Sequence, residues 1–217
     1  LRQIMNAIEN SEPILIEIFS DYVWPWCYLS TVSIEKLKRE HNVQTRWIHF
    51  PLHPETPDEG QSLKDLFKNR DPKDLEAMRD NMRNLMHEAG LPYGKRSMTY
   101  NSRLAQELGG WADTQESSED IHDLLFKSYF VENENINDIE VLVRLADKAG
   151  LDKKEARRIL EGRIFSPQIN QDWERAWESG ITGVPTFSSR DLFVVGCQPY
   201  EVLEKFVNHL RELQVGD

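Results

Sequence analysis

The sequence predicts an α/β fold in which a small sheet is interrupted by a large all-helical segment, and three observations carry that prediction. Runs of strand length stand at Ile14–Phe19 and Val43–Phe50, and strand character returns only at Thr186–Ser188 and Leu192–Val195. Between them, from about Ser62 to Gly180, apolar residues recur at helical spacing. The chain has 217 residues, enough to bury about 70% of the unfolded surface in a globular core.

Ile14-Leu15-Ile16-Glu17-Ile18-Phe19 is a near-continuous apolar run, the pattern of a central strand covered on both faces. A helix follows, because Pro25 suits a first helical position, where its missing N–H costs nothing. Cys27, Ser30, Thr31, Ile34, Leu37 and Lys38 then share one side, which turns Cys27 inward. From Val43 to Phe50 the residues alternate, with Val43, Thr45, Trp47 and His49 on one side, so a second strand is expected, parallel to the first. The proline-rich loop 51–60 closes this region. In the helical segment, Leu75, Met78, Met82, Leu85 and Met86 form one stripe and Ile139, Leu142, Val143, Ala146 and Ala149 another. Asn137 with Glu140 and Asp152 with Glu155 have capping-box spacing, and Gly150 and Gly162 stand where helices stop. Ser166 and Pro167 start a further helix, with Ile169, Trp173, Ala176 and Trp177 on one face and Gly180 at its end. Ser189-Arg190-Asp191 joins the last two strands into a hairpin, and a helix from Pro199 closes the chain, apolar at Val202, Leu203, Phe206, Val207 and Leu210.

The net charge of -11, with no cluster of Lys or Arg, argues against nucleic acid and an anionic membrane surface as partners. No run approaches the roughly 20 apolar residues of a membrane span. Residues 1–10 lack the pattern of a secretory signal, although a start at Leu1 leaves a removed leader open. Two cysteines make no disulfide framework, so a reducing cytoplasm is the expected location. No Gly-rich phosphate loop, Ser-His-Asp order or repeat stands out.

Chemistry concentrates at Trp24-Pro25-Trp26-Cys27, directly after the first strand. The segment has the form of a Cys-Pro-Trp-Cys redox motif whose first cysteine is tryptophan. Such a pair turns over because one thiolate attacks a disulfide and the second thiol resolves the mixed disulfide, so both sulfurs are needed. Removing the helical block leaves the element order of a thioredoxin fold, and the expected division is a thioredoxin-like domain from residues 1–60 and 181–217 with an insertion over 61–180 that includes the return helix.

Four segments in order, Asp21 to Leu29, Pro54 to Gly60, Gly183-Val184-Pro185-Thr186-Phe187 and Val194 to Tyr200, resemble the FrnE-like branch of the DsbA family. Hydroxychromene-carboxylate isomerases and glutathione-transferase kappa are its cousins. The resemblance implies a disulfide oxidoreductase with Cys27 as its remaining catalytic sulfur. It also implies a cis-proline loop at Val184-Pro185 that faces the site and offers backbone groups to an extended peptide. The chain departs from the family at Trp24, where the family carries the attacking cysteine and the isomerase cousins carry serine, so dithiol exchange is expected to be weak or lost.

Two readings of Trp24 stand side by side: an aromatic plate for an apolar or extended ligand, or a vacancy filled by a bulky residue. For Cys27, the helix dipole lowers the thiol pKa and burial raises it, and its inward position favours a buried, unreactive thiol. Cys197, after Gly196 at the end of the last strand, is placed on the rim; two separate thiols are expected rather than a bridge. Trp24, Pro25, Trp26, Val184, Pro185 and Cys197 are thus the candidate substrate contacts, for an extended peptide or a small molecule. Besides oxidoreductase chemistry, a thiol-assisted isomerase or transferase acting on an aromatic substrate against Trp24 and Trp26, and a non-catalytic peptide clamp, remain open. No metal or bound cofactor is expected, and glutathione enters only as a candidate co-substrate. His49 and His53 are expected to be ordinary, partly exposed histidines, Met78, Met82 and Met86 to be core, and the acidic runs 113–123 and 132–140 to be solvated helix ends.

Overall fold

Alternate isoleucines and a following Pro-initiated helix place the first three elements where the pattern predicts them. The computed structural model describes residues 12–115 and 121–215; residues 1–10, considered above for a signal, and the middle of the first acidic run lie outside them. Strand β1 (Ile14–Ser20), helix α1 (Pro25–Glu40) and strand β2 (Val43–His49) come first. A long helical stretch follows, opened by β3 (Gln61–Ser62), α2 (Leu63–Leu66), α3 (Pro72–Glu88) and β4 (Met98–Thr99). It continues with α4 (Arg103–Ala112), α5 (Ile121–Phe130), α6 (Ile139–Lys148), α7 (Lys153–Glu161) and α8 (Ser166–Glu178). The chain then returns through β5 (Thr186–Ser189), β6 (Leu192–Val195) and α9 (Tyr200–Val215).

The main sheet has the order β2-β1-β5-β6. Strands β1 and β2 are parallel, as a helical crossover requires, and the other pairs are antiparallel, with Ile18 opposite Trp47 on one side and Phe187 on the other. One face of the sheet packs Ile14, Ile16 and Ile18 against Ile34 and Leu37 of α1 and Leu203, Phe206, Val207 and Leu210 of α9. Each such side chain contributes about 1.5–3 kcal/mol on full burial. On the opposite face Phe19 and Ile48 join Cys27, Tyr28, Met82, Met86 and the inner residues of α4 to α7 in one larger cluster. The rings of Tyr28, Phe126 and Phe130 stack at its centre, with centroids 5.5 and 5.4 Å from Tyr28. None of the helices among the described residues is long and apolar enough to cross a membrane.

Several local expectations are corrected. Leu15 is 42% exposed, so β1 is covered on both faces only toward its C-terminal end, where Phe19 packs. On that second face Glu17 is buried between the guanidinium groups of Arg46 and Arg175, which supply the opposite charge its burial requires. Lys38 does not face inward; it pairs with Glu35 in solvent. The N-cap of α6 is Asp138, not Asn137, because the Asp138 carboxylate reaches the Glu140 N–H. Asp152 caps α7 as its spacing predicts, accepting from the N–H groups of Lys154 and Glu155. Gly150 takes up the left-handed conformation at φ +77°, but at the end of α7 that role falls to Arg163 rather than Gly162. Trp177 is 60% exposed: Trp173, one turn earlier, already lies at the core margin under Arg103, and the stripe runs into solvent. Val202 is likewise exposed. The β3–β4 ribbon was not foreseen, since two residues a side are too short for an alternation to register.

Candidate functional site

Trp24 is the N-cap residue of α1, in extended conformation, and its side chain makes no capping bond. Pro25 follows at the first helical position and the Cys27 N–H donates to the Trp24 carbonyl at 3.0 Å. This turn carries Cys27 into the core, where it is 0% exposed. Burial pushes its thiol up from 9.0 to about 12. The Ser20 hydroxyl beside it forms no regular hydrogen bond and, with the Asp21 backbone, offsets only part of this rise; the charges of Asp21 and Cys197 add to it. A thiol raised in this way is held mainly in its protonated form at neutral pH, which disfavours attack by Cys27. Asp21 is buried as well, and burial holds its carboxyl above the usual range although the N–H groups of Val23 and Leu52 donate to it.

Beside this turn lies a cleft of about 210 Å³. Val23, Trp24, Pro25 and Trp26 form one wall, Leu63, Leu66 and Phe67 of the α2 region a second, and Met78 and Met82 of α3 a third. Tyr129 and Arg96 lie across from them, with Arg96 over the rings of Tyr129 and Phe130 at 4.6 and 4.7 Å. The methionine stripe is thus divided: Met86 is core, while Met82 and the half-exposed Met78 line the cleft. Val184, Pro185 and Cys197 do not line it. Val184 and Pro185 are buried, Val184 in the same cluster as Cys27, and their peptide bond is cis. Pro185 offers its carbonyl to the Gly196 N–H at 2.7 Å. Cys197 is half-buried, with its thiol raised by burial, and both cysteines are free. The structure therefore gathers Trp24, Pro25 and Trp26 on the cleft and leaves the proline loop and Cys197 outside its lining. Among the described residues no group of three or more His, Cys, Asp and Glu is placed to hold a metal ion.

A polar centre behind the site was not visible in the sequence. Tyr22 Oη lies 2.6 Å from His122 Nδ1 and 3.5 Å from His49 Nε2. His49 Nδ1 is 2.8 Å from Asp172, and His122 Nε2 is 2.8 Å from Asp113. Carboxylates accept only, so each imidazole turns an N–H toward its aspartate and, when neutral, a lone pair toward Tyr22. One hydroxyl proton cannot serve two acceptors, which accounts for one short and one long contact. His49 is thereby corrected from a partly exposed residue to a buried one, whereas His53 stays at the cleft rim. Gly109 makes room for this centre: a Cβ there would stand 2.3 Å from Tyr22 Oη and 3.3 Å from His49 Nε2. Alanine in a helix interior ordinarily stabilises by about 1 kcal/mol over glycine. Gly109→Ala is expected to do the opposite, lowering stability by about 1–3 kcal/mol through overpacking against a rigid ring. Urea unfolding checks this, and a stabilised variant would contradict it.

The four-stranded order, the cis bond before β5 and the helix that starts at Trp24 define a protein of the thioredoxin fold. A family model described as a DSBA-like thioredoxin domain matches residues 15–208, and the chain belongs to that family. It is 26% identical over 196 residues to the protein YwbO of Bacillus subtilis (strain 168), covering 89% of this chain and 95% of YwbO. Among solved structures it is similar to a probable DsbA oxidoreductase from Streptomyces coelicolor, with a TM-score of 0.84 and 27% identity over 90% of this chain and 89% of that one. It shares its fold with a 2-hydroxychromene-2-carboxylate isomerase, with a TM-score of 0.71 and 18% identity over 94% of this chain and 98% of the isomerase.

Proposed function

We propose that this DSBA-like protein has lost dithiol exchange and uses the cleft beside Trp24 to bind a small molecule. The observation that carries the reading is the Trp24–Cys27 turn: indole stands at the cap, where the resembling family carries its attacking sulfur, and the remaining sulfur is fully buried with its thiol raised to about 12. A cleft of about 210 Å³ walled by Trp24, Trp26, Phe67 and Met82, with no strand of the main sheet in its lining, suits a compact apolar ligand better than an extended peptide, which pairs with a strand edge. Two free thiols suit a reducing compartment such as the cytoplasm.

The expected result is that the protein does not reduce insulin and that Cys27, followed by peptide mapping, reacts with a maleimide far more slowly in the native state than after unfolding. No adduct of Cys27 with oxidised glutathione should form in the native state. Insulin reduction by the native protein, or labelling of native Cys27 at the rate of free cysteine, would overturn the reading and restore a thiol mechanism.

A further inference from the structure

The charge of the cleft runs against the charge of the chain. The sequence has 37 acidic and 26 basic side chains. None of the acidic ones lines the cleft beside Trp24, whereas Arg79, Arg96 and His53 do. Arg96 is partly buried, lies 4.6 and 4.7 Å from the ring centroids of Tyr129 and Phe130, which stand nearly perpendicular to each other, donates a hydrogen bond to the Tyr129 hydroxyl, and has no carboxylate partner among the described residues. A guanidinium carries five N–H donors, so one that gives a donor to a phenol keeps others for a second acceptor, and a planar carboxylate matches that fork. Arg79 sits on exposed helix α3, at the rim. The body of the cleft is apolar and aromatic, and a space of about 150 Å³ accepts a benzene ring, so about 210 Å³ takes one or two fused rings.

Resting on the small-molecule reading above, we propose that the ligand is a small aryl carboxylate. Its ring lies among Trp24, Trp26, Phe67 and Met82, and its carboxylate pairs with Arg96, with Arg79 adding positive charge at the mouth. No covalent step is involved.

The test compares 1-naphthoate with its neutral counterpart 1-naphthamide and with 1-naphthylmethylamine, read by quenching of tryptophan fluorescence and by calorimetry. Naphthoate is expected to bind at least tenfold more tightly than naphthamide, the amine more weakly than either, and only naphthoate to weaken several-fold between 20 and 300 mM salt, about as exposed charge pairs are screened. Arg96→Gln should weaken naphthoate about tenfold and leave naphthamide within twofold. Because Arg96 packs on two rings, the rim variant Arg79→Gln and the salt series on the unaltered protein stand as independent measurements. If acid and amide bind equally and without salt dependence, the anion assignment is wrong while a small-molecule cleft survives. If none of the ring compounds binds and an extended peptide does, the small-molecule reading itself is wrong, and the anion assignment with it.

Discussion

Trp24→Cys is expected to form an intramolecular disulfide with Cys27 and to reduce insulin faster than the wild type. A cysteine placed there takes the N-cap of α1 at an exposed mouth, where backbone N–H groups and the helix dipole stabilise a thiolate, and Cys27 lies one turn inward to resolve the mixed disulfide. A thiol near 12 is about one part in 10⁵ ionised at pH 7, whereas a cap cysteine near 7 is about half ionised. The more acidic thiolate is intrinsically a weaker nucleophile by about two orders of magnitude, so the net gain in attack rate is on the order of several hundredfold. Loss of the indole exposes part of the cleft and costs up to a few kcal/mol, so thermal unfolding must first show a folded variant. A well-folded Trp24→Cys protein that keeps both thiols free under mild oxidant, or a wild type that reduces insulin equally well, would refute the expectation.

Alkaline pH should destabilise the protein through Cys27 alone by an amount that rivals a large core mutation. In the folded state the thiol is held near 12, against 9.0 when exposed. Below pH 9 both states are protonated and the full stability is present. Above it the unfolded chain releases a proton that the folded chain retains, so stability falls with rising pH until about pH 12. Each tenfold difference in acidity is about 1.4 kcal/mol, which makes the loss about 2 kcal/mol at pH 10.5 and about 4 kcal/mol in all. Cys27→Ala removes this dependence at the expense of a small cavity. Unfolding free energies of the two proteins at pH 8 and pH 10.5 are expected to differ in favour of wild type at the lower pH and to converge or cross at the higher. Parallel pH profiles would show that water reaches the thiol.

The fold was legible because its information is periodic: β1 and the stripes of α3, α6 and α9 can each be followed within a few turns of chain. The line Trp24-Pro25-Trp26-Cys27 was legible because its chemistry is local. What stayed hidden is non-local. Tyr22, His49, Asp113, His122 and Asp172 are spread over 150 positions, and no single segment marks them as a unit. The alternation in β2 placed His49 on the Trp47 side, yet nothing in it said that α8 would bring a carboxylate there. Arg96 lies in an irregular stretch where no periodicity applies, so neither its contact with the Tyr129 ring nor its place on the cleft had a sequence signal. Trp177 misled in the other direction, because a stripe of side chains does not disclose where the neighbouring core ends.

The Tyr22 centre has a kinetic consequence for the cleft. It ties the turn before α1 to β2, α5 and α8 at once, so the Trp24 wall opens only with the whole molecule. The α3 wall is held differently: of its 17 residues only Met82 and Met86 are buried, against seven of ten in α5. Local opening free energy follows buried apolar contact. A small molecule bound as proposed would therefore enter and leave over α3, with a residence time set by how firmly two methionines hold that helix down rather than by the indole.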